Sequence, residues 1–338
     1  MIKVEIHEEI RTRHLNYCLG KELVKTERVS LIDKLKNELR KETNKPIKKI
    51  LLFLEDNFID LITGYPDKLN ELRLKIETLI TQAKQNVKPL KIDGKIKKVL
   101  EAIFAEEYKQ FISRYSQNKD LWSAYRFMEV LNVRICPYCN SQFTFTFNKC
   151  SGKTRPALDH FFPKAKFPFL AMSIYNLIPS CKVCNSDFKK DQFLSLNDYI
   201  HPYIEGFENV KFKRKFNDTK TSDYLSIILG EDDGFDLILD INEKNPTPFE
   251  TRCKNNKDLF HLEDVYNYHK RYVQDIILKS RIYNDIYQKQ LKTTYSRLFN
   301  SDEELHQILI PKDADMNSII LSKLTKDILI SELYQNIK

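Results

Sequence analysis

The sequence predicts a mostly helical α+β fold in which a short segment of strands separates two helical regions. Glycine makes up only 7 of the 338 residues, and this scarcity favours long helices joined by short turns. Apolar residues recur at helical spacing through the first 130 residues, whereas the period changes to two between residues 143 and 147.

The first 130 residues are predicted to form helices. Leu31, Leu35 and Leu39 recur at four-residue spacing behind Ser30, which is a suitable N-cap. Proline or glycine separates the later periodic segments. The further predicted helices are 47–63 after Pro46, a run through Leu79 and Ile80 after Pro66–Asp67, and 96–115 after Asp93–Gly94.

The period of two begins shortly after these helices. Phe143, Phe145 and Phe147 alternate with threonines, which is the pattern of a strand with one aromatic face. We interpret that face as packing into the protein core.

The last third of the chain is predicted to form a small antiparallel sheet followed by helices. A long helix should begin at Glu263. The domain prediction is therefore a helical region over 1–130, a core over 131–205 and a sheet with helices over 206–338. The three predicted strands are Val210–Phe216, Leu225–Leu229 and Phe235–Ile241.

Composition indicates a soluble globular protein, with 42% hydrophobic and 30% charged residues. Acidic residues near the start occupy positions where a signal peptide would need an apolar segment. The longest weakly polar stretch, Phe167–Pro179, is too short to span a bilayer. We therefore expect a cytoplasmic protein with no membrane association.

Positive charge is concentrated in the middle of the chain. Between Arg134 and Phe216 there are 13 Lys/Arg and 6 Asp/Glu, whereas the other 255 residues contain 42 and 41. A local positive field is expected of a protein that binds the phosphate backbone of nucleic acid. A solvated lysine-rich surface explains the charge equally well.

Two Cys-x-x-Cys pairs lie in this basic segment. Four thiolates from two such pairs can hold one tetrahedral Zn²⁺, and two pairs are a much stronger signal than one. The paired residues are Cys136, Cys139, Cys181 and Cys184, which leaves Cys18, Cys150 and Cys253 as ordinary free thiols.

The residues between the pairs carry the candidate chemistry. A strand through Phe147, a turn containing Gly152 and a second strand from Thr154 would place Asp159 and His160 at a strand end. The second pair should open a short helix, from residue 182 to about 190, that carries Asn185. One zinc ion would therefore fasten the helix to the strands and support an active site.

These residues resemble the HNH nucleases of the ββα-metal class, specifically those with a zinc-binding Cys-x-x-Cys frame. The resemblance covers roughly residues 136–203 and rests on CPYC, LDHFFPK, YNLIPS and CKVCN followed by HPY. More loosely, the flanking helical regions and HPY resemble the HNH subunits of bacterial anti-phage systems of the Septu and retron-associated kind.

The resemblance implies a role for each polar residue of the core. His160 would be the general base, and Asp159 and Asn185 would hold one catalytic Mg²⁺ or Mn²⁺. Asn176 would brace the loop that orients His160. Asn at the closing position is a common variant in this family and keeps an oxygen donor. The candidate phosphate contacts are Lys164, Lys189 and Lys190.

Each residue also has a structural interpretation. Taken singly, Asp159 suits a turn, Asn176 a helix cap and His160 a packed core histidine. His201, before Pro202, would either contact phosphate or form a structural turn.

The sequence as a whole predicts a metal-dependent HNH endonuclease that cleaves nucleic acid, with DNA favoured. The expected setting is anti-phage defence, in which an ATPase or sensor subunit docks on the flanking helices and controls access to the site. A restriction or recombination nuclease is the second setting. The rival function is a non-catalytic zinc module that binds nucleic acid or a partner protein.

Overall fold

The computed structural model describes most of the 338 residues. The residues outside its described ranges are 23–27, 86–88, 115–117, 119, 150, 218–223, 299–309 and 334–338. The described chain is mostly helical and carries three antiparallel two-stranded sheets. The predicted class, α+β with helix dominant, is therefore confirmed.

Helices fill the N-terminal region, as its periodicity predicts. The described helices are α1 (Glu8–Leu19), α2 (Leu31–Lys41), α3 (Lys45–Asp56), α4 (Phe58–Thr63), α5 (Pro66–Gln85), α6 (Pro89–Leu100), α7 (Glu106–Ser113) and α8 (Ala124–Leu131). Ser30 caps α2, because its hydroxyl oxygen accepts a hydrogen bond from the Asp33 N–H at 3.2 Å. The predicted stripe of Leu31, Leu35 and Leu39 is buried.

Two helix boundaries differ from those predicted. The helix expected after Pro46 is divided at Asn57, whose side-chain amide donates to the Phe53 carbonyl at 2.8 Å where α3 ends. The break expected at Asp93–Gly94 is wrong, since α6 runs through both residues. Burial of Ile96 on this helix outweighs the low helix propensity of the glycine.

The central region contains two strand pairs followed by one short helix. The pairs are β1 (Phe147–Lys149) with β2 (Gly152–Thr154), and β3 (Ala157–His160) with β4 (Leu177–Ser180). The central helix covers Val183–Lys189 and has the wide π-helical geometry. The short helix forms as predicted. The predicted turn and second strand are wrong in detail, because Gly152 pairs with Lys149 inside β2 and β2 ends at Thr154. Asp159 and His160 lie instead on a third strand, β3, whose partner is the distant strand β4.

The alternating phenylalanines are exposed, so the core packing expected for them is wrong. Phe143, Phe145 and Phe147 are 58%, 57% and 38% exposed. Thr144 is buried instead and donates its hydroxyl to the Val133 carbonyl at 3.3 Å. An alternating pattern has two faces, and the contacts of the rest of the chain decide which one is buried.

One of the three strands predicted after the core is a helix. The strands of this region are β5 (Phe212–Phe216) and β6 (Phe235–Leu239), which pair antiparallel as expected. The segment Leu225–Leu229 instead lies in α9 (Tyr224–Leu229). Arg214 donates to the Ile227 carbonyl at 2.8 Å and so satisfies a backbone acceptor near the end of this helix.

Helices complete the described chain. They are α10 (Pro248–Leu259), α11 (Leu262–Asn267), α12 (Lys270–Ile282), α13 (Asp285–Thr294) and α14 (Ser322–Leu333). The single long helix predicted from Glu263 is divided between α11 and α12. Asn267, the last residue of α11, accepts a hydrogen bond from the Leu237 N–H of β6 at 2.9 Å, which ties this helix end to the sheet.

One hydrophobic cluster extends through all three predicted regions. It includes Leu35 from α2, Leu177 from β4 and Val273 from α12. The strands that carry the candidate site are thus packed between helices from both ends of the chain. Within the described ranges, no helix combines the length and the apolar character needed to cross a membrane.

Candidate metal centre and active site

Four buried thiols meet beside the central strands. The Sγ atoms of Cys136, Cys139, Cys181 and Cys184 all lie within 4.8 Å of one another. A tetrahedral Zn²⁺ with Zn–S bonds of about 2.3 Å needs sulfurs about 3.8 Å apart. The predicted convergence of the two Cys-x-x-Cys pairs is confirmed, and the cluster has the size and the ligands of a structural zinc site.

Tight turns shape both halves of the cluster. The Asn140 N–H donates to the Cys136 carbonyl at 2.7 Å, and Asn140 adopts a left-handed φ of 54° that closes the first turn. In the second turn the Cys184 N–H points at the Cys181 Sγ at 3.4 Å. Such backbone donors stabilise thiolate charge, and a thiolate is the form that binds a metal.

The other described cysteines lie outside this cluster. Cys18 and Cys253 are buried, and neither forms a disulfide with another described cysteine. Burial raises the pKa of the Cys253 thiol to about 12, so both residues behave as small apolar side chains. Cys150 lies outside the described residues.

Asp159 is buried on β3, and both of its carboxylate oxygens have partners. The Tyr138 hydroxyl donates to Oδ2 at 2.6 Å, and the Lys189 ammonium binds Oδ1 at 3.0 Å. Tyr138 belongs to the first cysteine pair and Lys189 ends the central helix. The hydrogen bonds of Asp159 therefore join the cysteine cluster, the strand and the helix.

Lys189 does not lie where a phosphate contact was expected. It is 1% exposed, and its ammonium also donates to the His160 carbonyl at 2.7 Å. A buried carboxylate needs a compensating charge, and Lys189 supplies it in this conformation. Lys164 and Lys190 are exposed and can reach a ligand in solvent.

His160 lies beside Asp159 with its imidazole oriented by the backbone. Its Nε2 is 3.1 Å from the Ala171 carbonyl oxygen. Since a carbonyl only accepts, Nε2 carries the proton in the neutral ring and Nδ1 keeps a free lone pair. The Tyr108 ring packs edge-on against the imidazole at 4.5 Å. Burial, with the nearby Lys164 charge, lowers the pKa of His160 to about 3.

Asn176 fastens both ends of the loop after β3. Its Oδ1 accepts from the Phe162 N–H at 2.7 Å, and its Nδ2 donates to the carbonyls of Phe162 and Leu170, both at 3.0 Å. The loop includes Ala171, the residue whose carbonyl holds His160. Asn176 is fully buried and therefore acts on the ring through the loop.

Asn185 lies one residue after the last cysteine and is half-buried. Its side-chain amide donates to the Ser186 hydroxyl at 3.4 Å. Among the described residues, no hydrogen bond joins Asn185 to Asp159. The two side chains are linked by the central helix, since Lys189 pairs with Asp159 from the same element.

The chemistry of this pair suits a hard divalent cation. Asp159 and Asn185 offer carboxylate and amide oxygens, which are donors that Mg²⁺ and Mn²⁺ accept. A carboxylate oxygen that accepts one hydrogen bond still has a lone pair for a metal. Lys189 already neutralises Asp159, so a cation bound there would share that carboxylate with an ammonium.

His201 is a structural residue in this fold. It is 1% exposed, its Nδ1 accepts from the Tyr203 N–H at 3.2 Å, and its ring lies 4.2 Å from that of Phe161. Burial lowers the pKa of His201 to about 3. Of the two interpretations of His201, the structure supports the turn.

Two tyrosines near the site had no role in the sequence-based prediction. Tyr138 could have been noticed from its place inside CPYC, because a residue between two ligands is held close to the metal. Tyr108 lies on α7, and its hydroxyl also donates to the Leu158 carbonyl at 3.3 Å. Fifty residues separate that pair, so no local pattern pointed to it.

Comparisons with known proteins are sparse. No protein-family model matches the chain, and no solved structure matches it. Protein ea31 of Escherichia phage lambda is similar to a part of it, with 33% identity over 91 residues. That match covers 26% of this chain and 27% of the phage protein, so it shows a shared segment and no more.

Proposed function

We propose that this protein is a metal-dependent endonuclease of the HNH type that hydrolyses phosphodiester bonds, with DNA as the favoured substrate. The observation that carries the proposal is the orientation of His160. Its Nε2 is held by the Ala171 carbonyl, which leaves Nδ1 as a proton acceptor on the residue that follows the buried Asp159 in β3.

In the proposed reaction, His160 Nδ1 takes a proton from the attacking water. The hydroxide then attacks phosphorus and the P–O bond to the leaving oxygen breaks. The leaving oxygen takes a proton from solvent, and His160 returns its own proton to solvent. When bound by Asp159 and Asn185, a Mg²⁺ or Mn²⁺ ion would stabilise the charge that develops on the phosphate. Asn176 keeps the loop and the ring in place, and Lys164 and Lys190 are available for phosphate contacts.

The cysteine cluster supports the proposal as a zinc-bound scaffold. Through Tyr138 it reaches the Asp159 carboxylate, and through Cys184 it holds the start of the helix that carries Asn185. The local excess of basic residues also suits a polyanionic substrate.

Cleavage of plasmid DNA with Mg²⁺ or Mn²⁺ tests this proposal. His160→Ala should reduce the cleavage rate by about 10²- to 10⁴-fold, as expected when a general base is lost, while zinc content stays unchanged. His7→Ala is the matched control, because His7 is exposed and makes no side-chain cap contact. Cleavage at the wild-type rate by the His160 variant would refute the assigned role.

One observation favours a second function. Asp159 is already neutralised by Lys189, as in a site that uses its charge for structure alone. A non-catalytic zinc module that binds nucleic acid or protein would have this arrangement. Nucleic-acid binding without any metal-dependent cleavage of DNA or RNA would establish that function instead.

We also propose a setting in anti-phage defence, with an ATPase or sensor subunit as partner. The proposal rests on the resemblance of the flanking regions and on the need to restrain a cytoplasmic nuclease. Co-purification from the native host, followed by mass spectrometry, should identify an ATPase in stoichiometric amounts. A monomer with full activity and no such partner would contradict this setting.

A further inference from the structure

Three exposed aromatic rings lie on the chain segment that precedes the strand of the candidate active site. Phe143, Phe145 and Phe147 are 58%, 57% and 38% exposed, and β1, which begins at Phe147, pairs with β2. The chain then enters β3, which carries Asp159 and His160. We refer to the three residues as the phenylalanine row.

At the phenylalanine row the usual burial pattern is reversed, because the apolar rings are exposed and the threonine hydroxyl groups between them are buried. Thr144 is buried, and both its backbone and its side chain form hydrogen bonds. Its N–H donates to the Arg134 carbonyl at 2.7 Å, and its hydroxyl donates to the Val133 carbonyl. The Thr146 hydroxyl oxygen is buried and has no hydrogen-bond partner in the part of the chain that the structure describes. Polar side chains thus point inward and rings point outward, which is typical of a surface that receives a ligand.

The charge around the row indicates an anionic ligand. From residue 130 to residue 158 the sequence contains no Asp or Glu, but it contains Arg134, Lys149, Lys153 and Arg155. Lys149 and Lys153 are exposed on the β1–β2 hairpin. The Lys149 ammonium lies 5.6 Å from the Phe147 ring centre. Aromatic rings interleaved with cations form the surface that binds single-stranded nucleic acid.

Exposed rings favour single strands over duplex, because a ring can stack only on a base face that no neighbouring base already covers. A duplex with intact stacking presents no base faces to them.

We propose that the phenylalanine row binds a single-stranded segment of nucleic acid, by stacking of bases on the rings and by contact of phosphates with Lys149 and Lys153. This inference rests on the proposed nuclease function and names its substrate class. β2 ends at Thr154, five residues before Asp159, so a short stretch of chain joins the β1–β2 hairpin to the strand that carries the candidate site.

Tryptophan fluorescence tests the stacking contact directly. The chain has one tryptophan, Trp122, which is 1% exposed, so Phe147→Trp adds a single accessible reporter. Titration with a 20-nucleotide oligo(dT) should quench the added fluorescence, and a 20-base-pair duplex should quench it far less. Equal quenching by both probes, or none by either, would overturn the proposal.

Fluorescence anisotropy with the same two probes tests how much the phenylalanine row contributes to the binding affinity. Phe145→Ala with Phe147→Ala should weaken oligo(dT) binding at least tenfold, and the corresponding Leu pair should weaken it similarly, because leucine has no aromatic face. Tyr268→Ala is the matched control, since Tyr268 is 90% exposed and lies between α11 and α12. Wild-type affinity for oligo(dT) in the double-Ala variant would overturn the proposal. It would also be overturned if the wild-type protein were a dimer and the double-Ala variant a monomer that still binds oligo(dT), because the rings would then serve a dimer interface.

Plasmid cleavage by the same variants separates this inference from the proposed function. If His160→Ala abolishes cleavage and the double-Ala variant binds oligo(dT) normally, the inference fails and the nuclease proposal stands. If no variant or wild-type protein cleaves DNA or RNA, but the row is needed for oligo(dT) binding, the nuclease proposal fails and the binding site stands.

Discussion

At the scale of single residues, the buried pair of Lys189 and Asp159 determines how the site is held together. The two side chains are 1% and 3% exposed, and their charged atoms are 3.0 Å apart. Burial makes each charge costly unless the other is present. The pair links the central helix to β3 more specifically than apolar packing would, because only one geometry satisfies both groups.

Lys189→Met should therefore destabilise the protein by about 3–5 kcal/mol, since it leaves the Asp159 charge buried with no cation. Adding Asp159→Asn should recover much of this loss, because the remaining amide is neutral. Urea unfolding of the two single variants and the double variant measures the coupling. Additive effects of the two substitutions would show that the pair does not act as a unit.

His14 is a second residue whose proton is set by its contacts. Its Nε2 is 2.7 Å from the Met172 carbonyl oxygen, and its Nδ1 accepts from the Trp122 indole N–H at 3.1 Å. A proton on Nδ1 would face the Trp122 indole N–H, so two hydrogen-bond donors would meet with no acceptor between them. Burial accordingly lowers the pKa of His14 to about 4.

This depressed pKa predicts a pH-dependent stability. Below pH 6.5 the unfolded chain binds a proton at this residue, whereas the folded chain binds it only near pH 4. The free energy of unfolding should thus fall by up to about 1.4 kcal/mol per pH unit as pH drops through this window. Urea unfolding at pH 7, 6 and 5 measures how the free energy of unfolding changes with pH. This change should be smaller for His14→Gln than for the wild-type protein, and an equal change would exclude the contribution of His14.

At the scale of elements, Asn140 connects the first cysteine turn to the last described helix. Its Oδ1 accepts from the Ser322 hydroxyl at 3.1 Å and from the Lys323 N–H at 3.0 Å. It therefore acts as a cap for α14 from 182 residues away in sequence. Its left-handed φ of 54° also suits asparagine better than most residues.

Two substitutions separate these contributions. Asn140→Gly removes the cap but accepts the left-handed φ, so it should cost about 1 kcal/mol. Asn140→Ala loses both and should cost about 2 kcal/mol or more. Thermal unfolding of both variants checks the order, which would be reversed if backbone conformation were irrelevant here.

At the scale of the whole molecule, the cysteine cluster contacts segments from both ends of the chain. The Ile2 N–H donates to the Pro137 carbonyl at 2.9 Å, and the Tyr266 hydroxyl donates to the Cys139 carbonyl at 2.6 Å. A metal bound by the four thiols would therefore stabilise far more than the central region.

Loss of the metal should consequently destabilise the entire fold. Cys184→Ser is expected to lose zinc and to unfold at a lower urea concentration, since structural zinc contributes folding free energy directly. Cys253→Ala is the control, because Cys253 is buried outside the cluster. Elemental analysis and urea unfolding measure both effects; a full complement of zinc in the Cys184 variant would contradict the assigned ligands.

Features that depend on short-range patterns could be predicted from the sequence. The spacing of the cysteines predicted their convergence, Ser30 with its leucine stripe predicted α2, and the second cysteine pair predicted the short helix that begins there. These features involve neighbours within a few residues, so the chain carries their signal locally.

Features that depend on distant contacts could not be predicted from the sequence. In the folded chain Phe143, Phe145 and Phe147 are exposed, residues 225–229 are helical, and Lys189 is buried against Asp159. An alternating or apolar segment fits more than one environment, and a lysine fits a surface or an ion pair. Which environment such a segment or side chain adopts depends on the free energy of packing against residues far away in sequence. A local pattern does not show which distant residues those are.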